Sequence, residues 1–401
     1  MRTLLLALGL TAFGACTSGS APATDPDSAA VPEAGAFPVP ADSGALAPRL
    51  ALDASGRPLL SWVEPDGDGY ALRYARWADG AWDERHTADR GDDWFINWAD
   101  TPGVVPVGAR LVAHTLPLHP EADGPYHYDA AVRIGDGTTW GERRLVNDDG
   151  VLAEHGFVSI VPLADGSAGV VWLDGRATGG GHGHGGGAMS LRYATLGLDG
   201  ALADEAQIDA RTCDCCPTAA VDVPGGLIVA YRDRTEAEVR DIAVVRLVDG
   251  EWTEPVFPHA DGWEIAGCPV NGPALASAGA RVALAWFTEA DGEARVQVAI
   301  SEDGGETFGP AVRVDDGAPI GRVAVVLRDD GVPVVSWLEH AGEAAELRVR
   351  TAEAKRLGDA ATVATVDAGR GSGVPVMVGL GDRVLVAWTG AGTVQSAVVV
   401  P

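Results

Sequence analysis

Val334-Val335-Ser336-Trp337-Leu338-Glu339 is the clearest copy of a short phrase that recurs along the chain. Related copies are Leu59-Leu60-Ser61-Trp62-Val63-Glu64, Leu111-Val112-Ala113-His114 and Gly169-Val170-Val171-Trp172-Leu173-Asp174. They continue with Ile228-Val229-Ala230-Tyr231-Arg232-Asp233, Ala283-Leu284-Ala285-Trp286-Phe287 and Leu385-Val386-Ala387-Trp388. From Trp62 through His114, Trp172, Tyr231, Trp286 and Trp337 to Trp388 the steps are 52, 58, 59, 55, 51 and 51 residues. A repeat near 50 residues marks an architecture built from one supersecondary unit.

Each unit follows one order. A Pro- or Val-rich strand comes first, as at 157–163, then a Gly turn such as Asp165-Gly166, then the anchor phrase. A loop, an alternating strand such as Leu191-Arg192-Tyr193-Ala194, a turn and a fourth strand complete it. Short period-two runs between Gly/Asp turns point to antiparallel β-structure, and no stretch keeps a helical period. The chain is therefore expected to be all-β, a β-propeller of four-stranded antiparallel blades. Seven anchors favour seven blades; six blades with an extra hairpin is the alternative. The last unit, from about Val374, lacks a fourth strand, and residues near Phe37 to Val39 are expected to supply it and close the ring.

Working outward, Leu4 to Phe13 form an apolar run after Arg2, the length of a signal-peptide core and too short to span a bilayer. The run ends in Phe13-Gly14-Ala15-Cys16, which resembles the bacterial lipobox. That resemblance implies a signal peptide over 1–16 and a lipid on Cys16. It also implies a place in the bacterial cell envelope, exported and membrane-anchored through the lipid alone. Residues 17–44 are rich in Ala, Ser, Pro, Asp and Gly and read as a flexible linker, leaving 45–401 as the propeller domain. The chain carries 57 acidic against 29 basic residues, a formal charge of −28. Such a surface repels phosphate backbones, so nucleic acid is discounted as a partner.

Ser301-Glu302-Asp303-Gly304-Gly305-Glu306-Thr307-Phe308 matches the Asp-box pattern, with Ser301, Asp303, Gly305, Thr307 and Phe308 at its key positions. Weaker echoes are Asp136-Gly137-Thr138-Thr139-Trp140, Asp249-Gly250-Glu251-Trp252 and Asp79-Gly80-Ala81-Trp82. On these residues the chain resembles the sialidase-like propellers, a group with and without sialidase activity. The resemblance implies a structural turn, closed by the Asp side chain. It also implies that catalysis, where present, uses three arginines for a carboxylate, a Tyr nucleophile with a Glu partner, and an Asp acid. Arg49 in Ala47-Pro48-Arg49-Leu50 is similar to the first arginine's signature without its Ile-Pro. Arg232, Arg240 and Arg322, with Tyr231, are the remaining candidates for a catalytic set.

Blade topology sorts the loops. Asp-box turns, between strands three and four, fall on one face. Loops between strands two and three share the other face with the loops into the next blade. That second face collects Trp94, Trp98, Asp100, His155, Arg176 and Trp263, the candidate ligand contacts for a glycan or protein. It also collects Cys213, Cys215, Cys216 and Cys268, in loops entering two successive blades. An even count in an exported chain favours two disulfides, with three pairings open and one bond across the blades expected. The alternative is a thiolate metal site with His182 or His184, from the glycine-rich run 179–187. Three functions stay open: a non-catalytic binding propeller, which is favoured, a glycoside hydrolase of sialidase type, and a Cys/His metal protein. No cofactor is expected.

Overall fold

The computed structural model describes residues 34–121, 124–179, 187–353 and 356–401. The expected signal peptide, Cys16 and both glycine-run histidines lie outside them. Seven antiparallel sheets make up the fold, and their first strands stand side by side in a ring. Blade 1 is Leu46–Leu52, Pro58–Asp66 and Gly69–Ala78, with Ala81–Trp82 and His86–Gly91 both pairing on Gly69–Ala78. Blade 2 is Gly103–Val107, Arg110–Thr115, Ala131–Gly135 and Arg144–Leu145; blade 3 is His155–Pro162, Ala168–Asp174, Met189–Leu196 and Leu202–Thr212. Blades 4 and 5 start at Ala219–Val223 and Ala274–Ala278, blades 6 and 7 at Pro319–Leu327 and Val376–Leu380. Seven blades is thus the observed count. Helix among the described residues is confined to two short 3-10 turns, Ala290–Gly292 and Arg370–Ser372.

The ring closes between the two ends of the described chain. Gly35–Phe37 pairs antiparallel with Thr393–Val399, with Phe37 opposite Ser396. Ser396 Oγ donates to Phe37 O and accepts from Trp82 Nε1, both at 2.9 Å. Phe37 meets the Trp77 ring edge-on at 4.8 Å. Ring closure therefore takes in residues of the stretch 17–44, and the propeller begins at Gly35 rather than at 45.

Anchor strands are near-continuous apolar runs because blades stack on both of their faces. Pro58–Asp66 and Pro333–Ala341 are buried over their first seven residues. A fourth strand such as Leu202–Thr212 is mostly exposed or half-buried. Burying an indole leaves its N–H to satisfy. The residue two positions on, which points to the same side of the strand, does so. Trp62 Nε1 donates to Glu64 Oε2 at 2.9 Å, Trp172 to Asp174 Oδ2 at 2.8 Å and Trp337 to Glu339 Oε2 at 2.5 Å. The carboxylates closing the anchor phrases are thus interior hydrogen-bond acceptors.

Three first strands are irregular close to the loop-rich face. Register shifts fall between Leu46 and Arg49, between Gly156 and Ser159, and across Gly321 to Ala324. Ala47, Phe157 and Arg322 there take positive φ of 57°, 52° and 54°. Such bulges re-aim side chains at strand ends. Arg49 and Arg322 are carried at two of them.

Candidate functional site

The Asp box is a self-contained turn. Asp303 Oδ1 accepts from Thr307 N at 2.9 Å and from Ser301 Oγ at 2.7 Å, and Ser301 Oγ accepts from Gly305 N at 2.8 Å. The Thr307 hydroxyl, which donates to Asp303 Oδ2 at 2.5 Å, together with these bonds holds the Asp303 carboxyl low, at about 2. Gly304 N donates to Ala280 O, in the turn between the first two strands of blade 5. The box thus lies on the face of the within-blade hairpin turns, away from the loop-rich face.

On the loop-rich face the candidate arginines are all engaged by the fold. Arg49 is half-buried; its Nε donates to Thr101 Oγ1 at 3.1 Å and its Nη2 to Val158 O at 3.2 Å. Arg232 spends three N–H groups on backbone carbonyls: Asn271 O at 2.9 Å, Arg240 O at 2.6 Å and Phe287 O at 2.7 Å. Its guanidinium also lies 4.9 Å from the Trp263 ring centroid. Arg322 Nη1 donates to Ser372 Oγ at 2.6 Å and Gly373 O at 3.0 Å. Arg240 Nη2 donates to Glu238 Oε2 at 2.7 Å. Tyr231 is buried and its hydroxyl donates to Asp209 Oδ2 at 2.5 Å. Burial, with the Asp209 charge, raises that phenol far above its ordinary value, the reverse of an activated nucleophile.

The candidate ligand contacts divide in two. Trp94, Asp100 and His155 are interior. Asp100 accepts from Phe157 N at 2.8 Å and from the Tyr128 hydroxyl at 2.9 Å; that hydroxyl is 3.1 Å from Glu154 Oε1. Burial pushes the Asp100 carboxyl up to about 7. Gly156 makes room for this clasp, since a Cβ there would stand 2.0 Å from Asp100 Oδ2. His155 lies 3.3 Å from Asp149 Oδ2 and 3.8 Å from Asp174 Oδ1, while Arg176 donates to Asp174 Oδ2 at 2.7 Å. These side chains pin loops between blades instead of facing solvent. The half-buried Trp98 remains on the accessible side, whereas Trp263 is buried and only lines a cleft. Tyr128 carries no repeat signature, and its role appears only when Asp100 and Glu154 come together in space.

Two features on this face are open to chemistry. The first is a cleft of about 420 Å³ between blades 5 and 6, lined by Trp263, Phe287, Asn271, Glu289, Ile320 and His340, among others. Trp263 meets Phe287 edge-on at 5.6 Å. Glu289 and His340 are exposed at its rim. An aromatic wall with a few polar groups suits a small polar ligand. The second is the cysteine cluster. Cys213, Cys215 and Cys216 are buried and Cys268 is exposed, all as free thiols in this structure. Cys213 Sγ lies 2.8 Å from Cys216 Sγ of the same loop.

No family model and no curated protein matches the chain. Solved structures do. The polysaccharide lyase Uly1 is 9% identical with a TM-score of 0.51, over 86% of this chain and 88% of its own. The α-L-arabinanase of Penicillium chrysogenum, complexed with arabinobiose, is 12% identical at TM-score 0.47, over 91% and 96%. The NanB sialidase of Streptococcus pneumoniae is 12% identical at 0.40, over 88% and 67%. At these identities the likeness is one of fold.

Proposed function

We propose that this chain is an exported, lipid-anchored, sialidase-like propeller that binds a glycan on its loop-rich face without turning it over. The observation that carries the reading is the cleft between blades 5 and 6. There the edges of the buried Trp263 and Phe287 give an apolar floor, while the exposed Glu289 and His340 offer hydrogen-bonding groups. Sugars present this pairing of apolar ring face and hydroxyl edge. The absence of turnover is supported by the arginines: Arg49, Arg232 and Arg322 each donate to backbone carbonyls, and Arg240 to Glu238. Arg232, with Nε, Nη1 and Nη2 all bonded to carbonyls, has no free edge for a bidentate grip on a carboxylate. The buried, raised Tyr231 supports it further.

The test combines a glycan array with a fluorogenic sialoside assay on the purified chain. Binding to a defined glycan without release of fluorophore is expected. Exchange of exposed Glu289→Gln and His340→Ala should weaken that binding at least about tenfold while leaving the melting temperature unchanged. Hydrolysis abolished by Arg49→Lys or Arg322→Lys would restore the enzyme reading.

A further inference from the structure

The cysteine loop is built rigidly. Cys213 N donates to Arg232 O at 2.9 Å, and Thr218 Oγ1 donates to Phe157 O at 3.0 Å. Between these ties the sulfurs of Cys213, Cys215 and Cys216 lie within 4.8 Å of one another. Cys213 Sγ is 3.9 Å from Cys215 Sγ. Cys268 arrives from the loop entering blade 5, and its thiol interacts with that of Cys215. Two successive inter-blade loops thus bring three clustered sulfurs and, beside Cys215, a fourth.

Packing thiols in this way gains little by itself, because S–H is a weak donor and S a weak acceptor. As thiolates they repel one another. One cation held among them removes the repulsion. Metal–sulfur bonds of about 2.3 Å in a tetrahedron put sulfurs about 3.8 Å apart. The Cys213–Cys215 separation already has that value, and the 2.8 Å Cys213–Cys216 contact must open by roughly 1 Å. An all-sulfur donor set selects thiophilic d10 ions, Zn(II) or Cu(I), over hard cations. Four thiolates around either ion leave a net negative charge in a buried site. The nearby guanidiniums balance it: Arg240 Nη1 stands 3.4 Å from Cys213 Sγ, and Arg232 adds its field. An N–H aimed at a ligand sulfur is the usual outer partner of a metal thiolate.

We infer that Cys213, Cys215, Cys216 and Cys268 form a binding site for one thiophilic d10 cation, with Arg240 as its charge-balancing partner. The site shares the loop 263–271 with the glycan cleft, but its four thiols do not line that cleft and its chemistry does not depend on it. Its occupation ties blade 3's exit loop to the loop entering blade 5.

The test starts from full-length chain, reduced and held without oxygen. Cobalt(II) alone is titrated as an optical probe, then displaced with zinc(II) or copper(I). One equivalent of cobalt should give an intense sulfur-to-metal band, bleached by whichever d10 ion binds. All four described thiols should lose their reactivity towards a disulfide reagent on loading. Exposed Cys268→Ser should lower the affinity by at least about tenfold without unfolding the chain, and Arg240→Met by a similar factor with stoichiometry kept. A reduced chain that gives no cobalt band, or thiols equally reactive with and without metal, would overturn the site. So would chain isolated with disulfides Cys213–Cys216 and Cys215–Cys268 that shows no metal uptake after reduction.

Discussion

The guanidinium of Arg322, on the first strand of blade 6, lies 4.5 Å from the ring centroid of Trp98, in the loop between blades 1 and 2. The two come from opposite ends of the sequence and meet on the loop-rich face. Arg322 also holds Ser372 and Gly373 ahead of blade 7. One buried cation therefore ties the first strand of blade 6 to two inter-blade segments, and burial pulls it down to about 10. Arg322→Met should cost about 2–4 kcal/mol, from lost charge-assisted hydrogen bonds and an ordered contact. Denaturant unfolding checks the magnitude, and an unchanged midpoint would remove the tie from the account.

Ring closure gives a second prediction. Ser396→Ala strips Trp82 Nε1 and Phe37 O of their shared partner. A buried donor left unsatisfied costs about 1–3 kcal/mol. The expected melting temperature is lower, and deletion of residues 35–37 should lower it further by exposing the edge of Thr393–Val399.

The anchor phrases and this closing strand were legible because both follow from burial along a repeated unit. Trp62, Trp172 and Trp337 recur at one place in the unit, and the last unit visibly lacked a strand. Asp303 was legible for a different reason: its partners Ser301 and Thr307 lie within four residues. The arginines were not. A guanidinium that caps backbone carbonyls, as Arg232 does, has no partner side chain to leave a mark in sequence. Asp100, Tyr128 and Glu154 are likewise separated by 28 and 26 residues along loops that do not repeat. Cysteines in adjacent loops announced a cluster, but the tight 213–216 contact needed the turn itself.

Asp100 makes stability depend on pH. Its folded value, about 7, lies above the ordinary 3.8, so the folded chain holds a proton that the unfolded chain releases. Stability from this group is complete below about pH 4 and is lost as pH rises towards 7. At about 1.4 kcal/mol per unit the full loss is of order 4 kcal/mol. Asp100→Asn keeps an acceptor for Phe157 N and cannot ionise. The difference in unfolding free energy between variant and parent should grow across that window; a constant difference would contradict the assignment.

Gly156→Ala tests the same clasp by volume. Its Cβ would meet Asp100 Oδ2 at 2.0 Å and Tyr128 Cε2 at 2.8 Å. Overpacking of this kind costs about 1–3 kcal/mol. Equilibrium unfolding of the variant should show it, with fold and blade number unchanged by circular dichroism and scattering.

The most direct measurement is hydrogen exchange of the chain with and without the glycan found on the array. The account places the ligand against Trp263, Phe287 and His340, on the face opposite the Asp box. Protection should appear in residues 263–271, 287–294, 318–320 and 338–341, and be absent from the turn 302–308. Protection confined to 302–308, or to neither region, would contradict the placement of function on the loop-rich face.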